Sequence, residues 1–176
     1  MEKSFFISGI GGQGIQLLGK AMAAAANECG LNLCLYPYYA GQRRGGVTYV
    51  RLTIAEGRIG APEKEHYDYV ALMDEYSYEG FIENRKKGGV LLLNSDLVKE
   101  EPFEELTVLR QPFTSISEET GPRTFNLILA GFISESSKVV PNDIFLDELL
   151  KLTAKDDEAK ALYTKAFEKG VALAKA

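Results

Sequence analysis

The chain is poor in the side chains that hold metals and clusters: among its 176 residues the only histidine is His66 and the only cysteines are Cys29 and Cys34. Two thiols and one imidazole cannot make a four-thiolate zinc or iron–sulfur site. Placed at a predicted helix end and on the next strand, both cysteines read as buried thiols in a reducing cytosol. No apolar run approaches the roughly 20 residues needed to cross a bilayer. The N-terminus, Met1-Glu2-Lys3 before a short strand, lacks the apolar core of a signal peptide, so a cytoplasmic protein is expected. Positive charge is short too: 20 Lys and Arg stand against 25 Asp and Glu, a formal net charge of −5. That balance gives no general electrostatic reason to bind nucleic acid or an anionic membrane, and any basic site must be local. With no internal repeat and no dividing linker, residues 1–176 are expected to form one domain, large enough to build a core without disulfide or metal.

What the chain has in quantity is glycine near its start. Gly9, Gly11, Gly12 and Gly14 stand within six residues, around Ile10 and Gln13, immediately after an apolar run. Such backbone takes positive φ readily and lets another backbone or a ligand come close. From Ile15 to Cys29, apolar residues at Ile15, Leu18, Met22, Ala25 and Ala26 mark one face of a helix. Strand, glycine turn and helix in that order are the arrangement that binds a phosphate at a helix N-terminus. No Ser, Thr, Asp or Asn stands in the turn to cap the helix, so its first N–H groups await an acceptor, either Gln13 or an external anion. A G-x-G-x-x-G pattern alone is weak, and its glycines could serve only tight packing. The acidic residue that reads a dinucleotide ribose about 20 positions further on is absent. The second strand, Leu31 to Tyr36, leads instead into Pro37 and Tyr38, against ordinary NAD chemistry.

Pro37 to Gly46 reads as a loop carrying Tyr38, Tyr39, Arg43, Arg44, Gly45 and Gly46. In a doubly wound sheet it stands near the glycine turn, where an arginine could pair bidentately with a phosphate or carboxylate. Val47 to Ile54 alternates as a strand. Glu56-Gly57 then predicts a turn and Arg58-Ile59-Gly60 a short return strand, an antiparallel edge hairpin on an otherwise parallel sheet. Tyr67 to Met73 reads as a strand whose Asp74 caps the next helix, running to about Arg85. Lys86 to Gly89 predicts a turn before Val90–Asn94, a central strand covered on both faces. Lys99 to Glu105 is a solvated connection, and Leu106 to Arg110 a strand stopped by Pro112. Thr124 is placed to cap a helix that is apolar nearly all round. Asn126, polar in that run, either ties the helix to a loop or contacts a ligand. A helical run from Asn142 to about Leu152 and a closing amphipathic helix, with Ala159, Leu162, Tyr163, Ala166, Phe167 and Val171 on one stripe, complete the chain. The class is α/β: a Rossmann-like, mostly parallel sheet with helices on both faces.

Gly9-x-Gly11-Gly12-Gln13-Gly14, Arg44-Gly45-Gly46, Arg123 to Gly131 with Asn126, and Ala166-Phe167-x-x-Gly170 occur in that order along nearly the whole chain. This set resembles the gamma subunit of the 2-oxoacid:ferredoxin oxidoreductases, acting on pyruvate, 2-oxoisovalerate (ketoisovalerate), 2-oxoglutarate or indolepyruvate. The resemblance implies a Rossmann-like, non-catalytic chain within a complex of alpha, beta and delta-type subunits. Those partners would carry thiamine diphosphate, magnesium and iron–sulfur clusters, make an acyl-CoA and pass electrons to ferredoxin. It implies further that Gly9, Gly11, Gly12, Gln13, Gly14, Arg43, Arg44, Gly45, Gly46 and Asn126 serve the coenzyme A side of the site, facing its pyrophosphate or an anionic part of a neighbour. A free-standing NAD- or ATP-binding enzyme and a purely structural subunit are the other readings. Tyr36, Tyr38 and Tyr39 are the candidates for a partner surface.

Overall fold

The computed structural model describes residues 1–39, 46–61, 63–99 and 107–176. Six strands form one sheet: β1 (Glu2–Ile10), β2 (Asn32–Tyr39), β3 (Val47–Ala55), β4 (Tyr67–Leu72), β5 (Arg85–Asn94) and β6 (Thr107–Gln111). Their order across the sheet is β2-β3-β1-β4-β5-β6. β1, β4, β5 and β6 are neighbours in parallel, while β3 runs antiparallel to both β1 and β2. The α/β class and the antiparallel edge hairpin expected from the sequence are both present.

The hairpin has a different partner from the one expected. Residues 58–60 form no strand. β3 pairs instead with β2, opposing Leu33 to Ile54 and Leu35 to Leu52, and on its other side pairs with β1 from Glu2↔Ala55 to Ile10↔Val47. An eight-residue partner with alternate apolar side chains buries far more than a three-residue stretch holding one isoleucine. Pro37 does not end the strand, which runs on to Tyr39. An edge strand has an unpaired side where a missing N–H costs little.

The faces of the sheet are covered unequally. Helices α1 (Ile15–Glu28), α3 (Phe113–Thr120), α4 (Phe125–Ser137), α5 (Asn142–Thr153) and α6 (Asp157–Lys175) bring side chains to a large core with Phe5, Ile7, Val50, Leu52, Tyr69, Ala71 and Leu92. The alternate residues Phe6, Val70, Leu72, Leu91 and Leu93 form a smaller core on the opposite face under α2 (Glu75–Phe81) and a 3-10 turn over Ile82–Asn84. Adjacent leucines of β5 thus enter different cores, as expected for a strand covered on both faces, each burial worth about 1.5–3 kcal/mol. Every residue of the predicted α1 face is buried.

The local signals divide into those that act as expected and those that do not. Asp74 caps α2, its Oδ1 accepting the Ser77 N–H at 3.0 Å. Thr124 stands at the N-cap of α4 but makes no side-chain cap. Its hydroxyl donates backwards, to the carbonyls of Gly121 at 2.8 Å and Ser117 at 3.1 Å, and so ties α3 to α4. Lys86 to Gly89, expected as a turn, lie within β5 as a bulge: pairing jumps from Tyr67↔Arg85 to Tyr69↔Val90, with Gly88 at φ 74. Helix α3 has no counterpart in the sequence reading; only Phe113 of its eight residues is buried, set edge-on to Phe132 at 5.5 Å. α4 and α6 cross with their backbones in contact. A Cβ on Gly131 would lie 2.0 Å from the Phe167 carbonyl oxygen, and one on Gly170 2.0 Å from that of Ile128.

Candidate functional site

The glycine turn joins the end of β1 to α1 and is closed by its own groups. The Gln13 N–H donates to the Ile10 carbonyl at 3.2 Å, and the Ile10 N–H returns to Gln13 Oε1 at 2.9 Å. Gly9 makes room for that side chain, since a Cβ there would fall 2.2 Å from Gln13 Oε1. Gln13 is therefore spent on the turn and does not cap α1. The N-cap is Gly14, in the left-handed region at φ 75, with no side-chain cap and no acidic residue in the first turn. The first hydrogen bond of the helix closes from Leu18 N–H to Gly14 O at 3.0 Å. The N–H groups ahead of it point out of the helix end, which carries a partial positive charge.

Gly46 reaches this turn: its carbonyl accepts the Gly11 N–H at 3.1 Å. Arg43, Arg44 and Gly45 lie outside the described residues. Gln16, which sequence reasoning missed, braces the same region. Its Nε2 lies within hydrogen-bond distance of Tyr38 O (2.9 Å), Thr48 Oγ1 (2.7 Å) and Tyr49 O (3.0 Å), so α1 holds the end of the β2–β3 pair where β2 finishes and β3 begins.

Beside the turn lies a cavity of about 310 Å³. Gly12, Gln13, Gly14 and Leu17 form one wall, Arg123, Phe125 and Asn126 at the start of α4 another, and Leu152, Thr153 and Tyr163 close it. Four of the sequence-derived site residues, Gly12, Gln13, Gly14 and Asn126, thus meet in one place. Asn126 is 8% exposed and rests on the turn: a Cβ on Gly14 would lie 2.7 Å from its Cγ. It ties the helix to the loop by packing. Among the described residues no hydrogen bond engages its amide. Arg123, absent from the sequence-derived set, is exposed at the mouth and has φ 62. Its membership depends on the left-handed step between Pro122 and Thr124; the one sequence signal for it was a basic residue directly before a helix cap.

Other features carry less chemistry. A broader groove of about 470 Å³ near the α5–α6 junction is lined by Asp147, Lys151, Lys155, Asp156, Asp157 and Lys160 among others. Its charges largely offset one another, and Asp156 caps α6 through Ala159 N–H at 2.8 Å. Cys29 and Cys34 are free and half-buried, rather than fully buried as expected. Burial, aided by Glu28 and Asp143, pushes the Cys29 thiol above its ordinary pKa, which disfavours a reactive thiolate. Among the described residues no cluster of metal ligands occurs, and no helix is long and apolar enough to cross a membrane. On the thinner face of the sheet the exposed Tyr38 stacks on Tyr49 (4.5 Å, 9°) and Arg51 lies 5.6 Å from the Tyr36 ring, while Tyr39, also exposed, alternates to the other face.

Comparison with known proteins bears on both fold and site. The family model described as pyruvate ferredoxin/flavodoxin oxidoreductase matches residues 4–173. The 2-oxoglutarate synthase subunit KorC of Methanocaldococcus jannaschii is 30% identical over 183 residues, spanning 99% of this chain and 95% of that protein. Among solved structures, the gamma subunit of a keto/oxoacid ferredoxin oxidoreductase from Geobacter sulfurreducens PCA superposes with a TM-score of 0.84 at 24% identity, covering 99% of this chain and 97% of the other. The 2-oxoglutarate:ferredoxin oxidoreductase of Magnetococcus marinus, solved with 2-oxoglutarate, coenzyme A and succinyl-CoA bound, superposes with a TM-score of 0.89 at 23% identity. It covers 99% of this chain but 31% of the other. These two structural likenesses speak for the fold alone.

Proposed function

Because the chain belongs to the pyruvate ferredoxin/flavodoxin oxidoreductase family, we propose that it is the gamma subunit of a cytoplasmic 2-oxoacid:ferredoxin oxidoreductase and supplies part of its coenzyme A site. The complex would oxidatively decarboxylate a 2-oxoacid to an acyl-CoA and reduce ferredoxin. Alpha, beta and delta-type partners would hold thiamine diphosphate, magnesium and the iron–sulfur clusters and select the oxoacid. The end-to-end relation to a 2-oxoglutarate synthase subunit supports the subunit role.

The observation that carries the coenzyme A assignment is the uncapped end of α1 opening on a cavity beside Gly12, Gly14 and Asn126. Outward N–H groups and the helix dipole favour an anion there. The described lining contains no Asp, Glu, His or Cys, so its chemistry suits holding an anionic ligand rather than moving protons. Arg43 and Arg44 follow β2, whose end lies beside the turn, and are proposed to add positive charge. The tyrosines at 36, 38 and 39 offer an aromatic seat for a partner subunit.

The test is hydrogen exchange on the native complex isolated anaerobically through this chain, with and without coenzyme A. Slower exchange at residues 11–17 on adding coenzyme A is the expected result. Unchanged exchange in a complex that still turns over would leave the chain a structural subunit. Isolation of the chain without larger partners would remove the subunit reading itself.

A further inference from the structure

Resting on the coenzyme A reading, we infer that Arg123 and Asn126 form, with the first turn of α1, a clamp for one phosphate group of that ligand. Arg123 supplies the charge. Three kinds of donor converge on the cavity. The first is the α1 N-terminus, fourteen residues of helix behind an N-cap that offers no side chain.

The second is Asn126. The residue is 8% exposed, its side chain lies against Gly14 and lines the cavity, and among the described residues its amide has no hydrogen-bond partner. An amide with no protein partner, open to a cavity on an otherwise buried residue, is free to meet a polar ligand atom. A Cβ on Gly14 would stand 2.9 Å from Asn126 Nδ2, so the amide sits at the helix end and both can serve one anion.

The third donor is the Arg123 guanidinium. It has no ion pair or hydrogen bond among the described residues and stands at the cavity mouth. In a chain of net charge −5, an arginine beside a helix N-terminus and away from lining carboxylates is a local anion site. Its planar fork suits a phosphate better than a lysine would.

The volume sets how much of the ligand enters. At about 310 Å³ the cavity lies at the low end for small-molecule sites. It encloses a phosphate and its nearest substituents, with Leu17, Phe125 and Leu152 as apolar walls, and leaves the rest of the cofactor outside. Coenzyme A has two sources of this chemistry, the pyrophosphate and the 3′-phosphate.

Steady-state kinetics of the assembled enzyme with coenzyme A and with dephospho-coenzyme A, which lacks the 3′-phosphate, test the clamp. Arg123→Asn is the first variant, since asparagine tolerates the left-handed backbone. Asn126→Asp is the second, placing a like charge where the phosphate would lie. Both should raise KM for coenzyme A on the order of tenfold or more, the scale of a charge-assisted hydrogen bond, with kcat at saturation retained. A rise confined to coenzyme A assigns the 3′-phosphate; the same rise with dephospho-coenzyme A assigns the pyrophosphate. Unchanged KM in both variants overturns the clamp. If coenzyme A still slows exchange at residues 11–17, the broader site reading survives that result. Loss of the chain from the complex, with normal KM in whatever assembles, would also overturn it and make the anion a partner's carboxylate.

Discussion

At the glycine turn nothing stands within 4 Å of the point where a Gly12 Cβ would be, whereas at the crossing of α4 and α6 the corresponding points on Gly131 and Gly170 lie 2.0 Å from backbone oxygens. Both places lack side chains, for opposite reasons. In the turn the backbone needs positive φ, and the open space above it faces the cavity. At the crossing the backbones are ordinary helix and the missing side chains let two helices touch. The absent side chain therefore leaves open space at Gly12 and makes a fold contact at Gly131 and Gly170. What stands over the absent Cβ tells them apart.

The largest effect should come from filling the crossing. Gly170→Ala would force α6 off α4 and is expected to cost about 3 kcal/mol or more, read as a lower urea midpoint. An unchanged midpoint would mean that the helices slide apart freely and would dissolve the distinction. Gly12→Ala meets no neighbour, so its cost should be that of backbone alone, about 1–2 kcal/mol for a side chain at positive φ. A loss as large as that of Gly170→Ala would show that Gly12 too is a packing position, as Gly9 and Gly14 are.

The smallest effect belongs to a polar tie remote from both. Asp68 accepts from Ser4 N–H (3.0 Å), Ser4 Oγ (2.8 Å) and Lys86 Nζ (2.7 Å), joining β1, β4 and β5. Burial alone would raise its carboxyl, but these bonds prevail and hold it below the ordinary carboxylate pKa. A carboxyl depressed by folding adds stability that is complete above its unfolded pKa, about 3.9, and disappears as pH falls through the folded value. Asp68→Asn should therefore lower the unfolding midpoint at pH 7 and converge with the parent in strong acid. A gap constant with pH would rule this out, and the two glycine variants should show just such a constant gap.

The glycine turn, the α1 face, the Asp74 cap and the two-faced leucines of β5 were legible because each rests on neighbours in sequence. Asn126 could be singled out as one amide in an apolar run, although not its contact with Gly14, which needs α4 brought to the turn. The hairpin partner of β3 was misread because pairing depends on a strand upstream rather than on the residues that follow β3. Helix α3 was missed because it is only eight residues long and buries one side chain. Arg123 was visible as part of a family pattern and as a basic residue before a helix cap, but its place at the cavity follows from a single left-handed residue. Gly131 and Gly170 were visible as parts of a family pattern, but their physical role required the crossing itself.

The turn is latched from within, by Gln13 folding back on Ile10 and by Gly46 reaching Gly11. A loop that must be ordered by its ligand charges that ordering against the affinity. Here the donors are aligned beforehand, so the proposed anion would surrender its own freedom of motion and ask little further entropy of the protein.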